Sequence, residues 1–114
     1  MVSDQEHEEA VKRGEEMFRT LPHALSARFD RSIGMVIVNL NWGYSIAFPP
    51  GRTEDLHGAK EEDLTEIEVS APGWEIYFPK LDTGLWVPGL VKGVFGTPAW
   101  EEQWAAANRP QEAA

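Results

Sequence analysis

Apolar and polar positions change their spacing along this chain, and each change marks an element. Ala10, Val11, Gly14, Met17, Phe18 and Leu21 recur at three- and four-residue intervals, the spacing of a single apolar stripe on a helix. Ser3, with Glu6 three residues on, reads as a capping box; acids crowd the first half, where the helix dipole favours them, and Pro22 stops the helix. The pattern predicts an amphipathic helix over about residues 4 to 20, packed on the domain and covering part of a sheet. Gly14 weakens its middle by about 1 kcal/mol relative to alanine, so a close packing contact is expected there.

From Ala24 the period becomes two. Leu25, Ala27 and Phe29 alternate with Ser26, Arg28 and Asp30, and Asp30-Arg-Ser-Ile-Gly34 supplies turn chemistry. Met35-Val-Ile-Val-Asn-Leu40 is apolar on both faces for most of its length, which suits a central strand covered on each side. Tyr44, Ile46 and Phe48 alternate with small residues, so these three runs predict an antiparallel meander closed by Pro49-Pro50-Gly51. Short polar helical turns are expected at Thr53 to Leu56 and Glu61 to Leu64, followed by a strand with Ile67 and Val69 inward. In the stretch that organises the second half, Trp74, Ile76 and Phe78 alternate with Glu75 and Tyr77 until Pro79 ends the ladder. Leu85-Trp86-Val87 predicts a last short strand, Pro88 the first turn of a helix, and Thr97-Pro98 the N-cap and first position of another. Trp100 and Trp104 stand four apart on that last helix and form a stripe that must dock, on its own domain or on a second copy.

The fold class is therefore α+β: a small antiparallel sheet of about five to six strands, an N-terminal helix and short C-terminal helices. Residues 1–23 form the packed N-terminal helix, 24–97 the α+β domain, and 98–114 a C-terminal helical extension with a disordered tail after Asn108.

Composition narrows the chemistry. The absence of cysteine removes disulfides, thiolate nucleophiles and Cys-ligated metals, and suits a reducing cytoplasm. No apolar run reaches the roughly 20 residues of a membrane span, and the first residues are acidic where a signal peptide is basic. A soluble, cytoplasmic protein is expected. The net charge of −9, from 19 acids against 10 bases, argues against direct binding to a phosphate backbone and permits a basic protein partner.

The order of these features resembles the bacterial domain-of-unknown-function family 2442. Its pattern is similar to Ser45-Ile-Ala-Phe-Pro49, Leu56-His-Gly-Ala59, Glu61-Glu-Asp-Leu64, Ile67-Glu-Val69, Trp74-Glu-Ile-Tyr-Phe-Pro-Lys-Leu-Asp82 and Val87-Pro-Gly-Leu-Val-Lys-Gly93, over about residues 24 to 100. A longer subgroup adds a helix like Glu9 to Leu21 and continues into Phe95-Gly-Thr-Pro-Ala-Trp100. The resemblance implies an α+β fold without established enzymatic activity, in proteins that look like the smaller partner of toxin–antitoxin-like gene pairs. This chain departs from the pattern at Thr83-Gly84 after Asp82, at Trp86 in place of a small polar residue, and at Trp42-Gly43 in place of Asn-Gly or Asp-Gly; it also lacks a basic tail. Trp42 is an awkward residue if its turn requires a positive φ.

No catalytic constellation stands out. His7, His23 and His57 fall in separate segments without metal-ligand spacing, Ser45 and Ser70 lack a nucleophile elbow, and Gly93-Val-Phe-Gly96 is not a phosphate loop. No cofactor or metal is expected. Asp82, after the central strand and before a glycine turn, suits a structural acid accepting backbone N–H bonds. Glu68, Glu75 and Tyr77 fall on outer strand faces, where they form a polar patch with Arg28 or face water. Five tryptophans are many for a core this small, and tryptophan is enriched at binding hot spots. The candidate binding residues are Arg28, Tyr77, Asp82, Trp86 and Trp104. The expected function is a non-catalytic protein-interaction module, the acidic partner of a toxin–antitoxin-like or regulatory pair, as monomer or homodimer. The alternative is a small-molecule-binding or enzymatic domain on the outer sheet face.

Overall fold

Helical and strand periods map onto the observed elements nearly one for one. A computed structural model describes residues 4–108; the Ser3 cap and the tail expected after Asn108 lie outside the described residues. Helix α1 (Asp4–Thr20) leads into β1 (Ala24–Asp30), β2 (Met35–Leu40) and β3 (Ser45–Phe48). Two 3₁₀ turns, Pro50–Arg52 and Glu61–Leu64, precede β4 (Glu68–Ser70), β5 (Glu75–Phe78) and β6 (Thr83–Trp86). Helices α2 (Val87–Val91) and α3 (Pro98–Ala107) follow.

Six strands form, all antiparallel to their neighbours, but in two sheets of three rather than one: β1-β2-β3 and β4-β5-β6. The separation has a cause in the connection between them. Leu56 and Leu64, on the polar-looking segment, are 1% and 2% exposed, so that segment enters the core instead of bridging two neighbouring strands. The sheets adjoin where the Ala24 N–H donates to the Gly73 carbonyl at 2.8 Å. Gly73 has φ 123°, and a Cβ there would stand 2.5 Å from the Ala24 carbonyl oxygen. No side chain fits that junction.

The core lies between the sheets: Val36, Val38 and Leu40 from β2, Ile76 and Phe78 from β5, with Phe48, Leu85, Val87 and Leu90. The assigned phase of β5 is therefore observed, Ile76 and Phe78 both being fully buried. β2 is central in its sheet, as its apolar run predicts, yet only its Val36/Val38/Leu40 face is sealed; Met35, Ile37 and Asn39 are half-buried. In β1 the register shifts between Ala24 and Ser26. That bulge buries Ala24 and leaves Leu25 64% exposed, off the face that alternation has it share with Ala27 and Phe29, which stay against the core.

One turn question is answered and one turn is displaced. Gly43, not Trp42, takes the left-handed conformation at φ 85°, so the tryptophan sits in ordinary backbone. The first 3₁₀ turn forms at Pro50–Arg52, ahead of the expected 53–56. There the Thr53 hydroxyl accepts the Leu56 N–H at 3.1 Å, and Thr53 is fully buried.

The largest departure is α1. The helix forms over its expected length, but none of its residues is buried, and Val11, Met17 and Phe18 are exposed at 45%, 40% and 42%. It meets the domain at its C-terminal end, where Phe18 stacks on His23 at 4.2 Å and meets the edge of Trp74 at 6.0 Å. Around Gly14, nothing lies within 4 Å of where a Cβ would be, so the expected packing contact is absent. The stripe correctly marked a helix; its occupant is not the sheet. Among the described residues no helix is long and apolar enough to cross a membrane.

Candidate functional site

Antiparallel pairing sets directly opposed residues on one face. In the second sheet Glu68, Tyr77 and Gly84 form one row, and Ser70, Glu75 and Trp86 form the next, all on the outer face. The Tyr77 hydroxyl donates to the Asp82 carboxylate at 2.5 Å. That hydrogen bond, reinforced by burial and by the charges of Asp82, Glu68 and Glu75, pushes the ionisation of Tyr77 above the ordinary phenol range. Asp82 itself adopts φ 48°, a left-handed conformation that aspartate tolerates better than most residues. Its carboxylate holds the phenol instead of the expected backbone N–H groups, because the turn's own bonds run from Leu81 N to Phe78 O and from Asp82 N to Pro79 O.

Beside this pair, the Ser70 hydroxyl donates to Glu75 at 3.2 Å. The Glu75 carboxylate lies across Gly84, where a Cβ would be 2.5 Å from the carboxylate carbon. Trp86, half exposed, completes the row and lies 5.8 Å from Trp74. From Trp74 the aromatic contacts continue to His23 at 5.8 Å and on to Phe18 of α1. His23 is 6% exposed and its Nδ1 has no hydrogen-bond partner, while its backbone is tied to Asn41 through both N–H and carbonyl.

Arg28 does not join the outer face of the second sheet. It lies on β1, 61% exposed, with its guanidinium 3.2 Å from Asp30. Asp30 is held below the usual carboxylate range first by the Ser32 hydroxyl, then by Arg28. The structure thus brings Tyr77 and Asp82 together, with Trp86 on the same face, and places Arg28 and Trp104 elsewhere.

Trp104 belongs to the docking of α3. The Thr97 side chain caps the helix by accepting the Trp100 N–H at 3.2 Å, as the Thr-Pro signal predicts. The Trp100 indole N–H then donates to the Arg52 carbonyl at 2.9 Å. The Arg52 guanidinium bonds both oxygens of Glu101, the shorter contact being 2.5 Å, and lies 4.9 Å from the Phe95 ring centroid and 5.0 Å from that of Trp104. Glu101 also accepts the Phe95 N–H at 2.8 Å, and Glu54 accepts the Thr97 N–H at 2.8 Å. Arg52 first, and the Phe95 N–H after it, hold the Glu101 carboxyl below its ordinary range against the opposing effect of burial. The stripe therefore docks within one chain, on a residue the sequence pattern does not single out. The faint signal is that Arg52 is the lone base between Arg31 and Lys60.

A cleft opens between β6, α2 and the 94–96 loop, with a volume of about 260 Å³. Leu85, Leu90, Val94 and Phe95 give it apolar walls, with Trp86 on one side and Asp55 as its charged residue. Asp55, like Arg52, is not singled out by the sequence: nothing in a Glu-Asp pair within an acidic loop marks which acid borders a cleft. Among the described residues no three His, Asp or Glu side chains converge to hold a metal ion.

No family model matches the chain, and no curated protein matches it. Two solved structures do. A solution NMR structure of an uncharacterised protein from Chromobacterium violaceum is 28% identical, covers 98% of this chain and 99% of its own, and has a TM-score of 0.67. A crystal structure of a protein of unknown function from Rhodospirillum rubrum is 43% identical with a TM-score of 0.66, over 69% of this chain and 95% of its own. With nearly the whole of that protein matched at such identity, the chain belongs to the same family as the Rhodospirillum rubrum protein.

Proposed function

We propose that this protein is a non-catalytic interaction module that receives a basic protein partner, as the acidic member of a regulatory or toxin–antitoxin-like pair. Membership of domain-of-unknown-function family 2442 is part of the same reading and rests on the ordered pattern from Ser45 to Gly93. The observation that carries it is α1: a 17-residue amphipathic helix without a buried residue, whose apolar stripe stands open beyond its foothold at Phe18. An isolated helix gains little in water and is normally held by packing of its apolar face. Around that stripe α1 carries Asp4, Glu6, Glu8, Glu9, Glu15 and Glu16 against Lys12, Arg13 and Arg19, so the complementary surface is apolar with a basic rim. The alternative, small-molecule binding or catalysis on the outer sheet face around Arg28, Tyr77 and Asp82, loses its cation, because Arg28 lies against Asp30.

The test is co-expression with the product of the neighbouring gene, followed by co-purification. The pair should co-purify, and Val11→Asp combined with Met17→Asp should abolish capture while leaving the thermal melt of the free protein unchanged, since both side chains are exposed. Absence of a complex, or capture undiminished in the double variant, refutes the proposal.

A further inference from the structure

The cleft beside Trp86 has a composition of its own. At about 260 Å³ it is smaller than the roughly 300–1,000 Å³ usual for drug-sized ligands, and it admits one long side chain rather than a cofactor. Its walls are hydrocarbon: Leu85 from β6, Leu90 from α2, Val94 and Phe95 from the loop. Its polar groups are acidic. Asp55 is exposed and has no hydrogen bond or ion pair among the described residues, while Glu75, outside the lining, lays its carboxylate over Gly84, which does line the cleft.

Glycines create this arrangement. Neither Gly84 nor Gly89 has a positive φ, so backbone conformation does not demand them. What demands them is the neighbour each admits: the Glu75 carboxylate against Gly84, and the Trp86 ring, with Cδ1 3.2 Å from where a Gly89 Cβ would be. A half-exposed indole is thereby brought to an apolar slot that also carries the unpaired Asp55 carboxylate, with the Glu75 carboxylate nearby over Gly84.

We propose that this cleft is the seat for a single arginine side chain of the basic partner. The methylene stem lies along Leu85, Leu90 and Phe95, and the guanidinium reaches the Asp55 carboxylate and the exposed Trp86 indole. A planar, weakly hydrated cation suits both neighbours: it accepts an aromatic face and donates to carboxylate, which an ammonium does less well. Glu75 and, further along the same sheet face, Glu68 and Asp82 raise the local concentration of positive charge. That the arginine belongs to a protein rests on the function proposed above; the preference of the cleft for it rests on the geometry alone.

The two are separable in one set of measurements on the full chain. Nα-acetyl-arginine amide, titrated into the ¹⁵N-labelled protein, should give saturable shifts confined to Gly84, the Trp86 indole, Leu90 and Gly96. The neutral isostere Nα-acetyl-citrulline amide should give none. Asp55→Asn, at an exposed residue without partners, should melt as the wild type and weaken binding by about tenfold, the effect of roughly 1.4 kcal/mol; Trp86→Leu, which keeps an apolar wall, should weaken it comparably. Equal shifts from citrulline, shifts spread over every acidic face, or affinity unchanged in both variants overturn the assignment. In the co-purification assay, a complex lost in the Val11/Met17 double variant but undiminished by Asp55→Asn refutes the cleft and leaves the helix reading standing. Arginine shifts in the cleft without any co-purifying protein do the reverse.

Discussion

Replacing Arg52 by alanine removes the group on which α3 is seated. The lost ion pair is two-pronged but only partly shielded, with side chains 20% and 30% exposed, so screening limits it to about 1 kcal/mol. Two cation–aromatic contacts, to Phe95 and Trp104, add about 0.5–1 kcal/mol each. The Trp100 bond survives, because it is made to the backbone carbonyl of Arg52. The expected cost is roughly 2–3 kcal/mol, borne by α3 locally and not by the core. Amide hydrogen exchange reads it directly: α3 amides should exchange about 30- to 150-fold faster in R52A, while β2 amides keep their protection. Arg52→Lys should recover about half, since it restores charge without the planar fork. The effect also depends on pH in a fixed direction. Arg52 depresses the Glu101 pKa in the folded state, so the stabilisation is fully present above the ordinary glutamate value of about 4.3 and is lost as pH falls through the lowered value. The difference between wild type and R52A should therefore narrow in acid by the ion-pair share, while the cation–aromatic share persists. Equal α3 protection in the two proteins at neutral pH would refute the docking account.

Phe78→Ala should cost about 3–5 kcal/mol and Ile76→Ala about 2–5 kcal/mol in denaturant unfolding, both side chains being fully buried; wild-type midpoints in both would mean that β5 faces the other way. In a Tyr44→Phe background Tyr77 is the sole tyrosine, and its absorbance titration should lie above the ordinary value of about 10. The neutral phenol is the bound form, so this contact stabilises the fold below the ordinary value and is lost as pH rises through the raised one. Asp82→Asn should move the midpoint down; no movement would show that the Asp82 hydrogen bond does not set it.

Strands were legible in this sequence because one buried face imposes period two, as at Ile76 and Phe78. Leu25 misled because a bulge displaces the phase by one residue without leaving a mark in composition. The stripe of α1 was legible as a helix and silent about what it touches, since apolar spacing encodes a face and not the identity of its cover. Thr97 and Pro98 gave the start of α3 through local chemistry that needs no tertiary partner. Its seat needed one: Arg52 stands far from Glu101 in sequence, and their pairing depends on a loop path that no local pattern specifies. Tyr77 and Asp82, five residues apart around one turn, are brought together by local geometry, whereas Arg28, on another strand beside Asp30, does not reach them.

The division into two sheets bears on how the chain reaches its fold. Each sheet is made of strands consecutive in sequence, so its ladders close only short loops, and the entropy of each closure is small. The first meander is complete at Phe48 and can pair while the rest of the chain is still emerging from the ribosome. It presents Val36, Val38 and Leu40 as a template on which the second meander condenses. The late step is then the meeting of the two ribbons at Ala24 and Gly73, and a bulky residue at position 73, where no side chain fits, would weaken the joining of the halves more than the pairing within either.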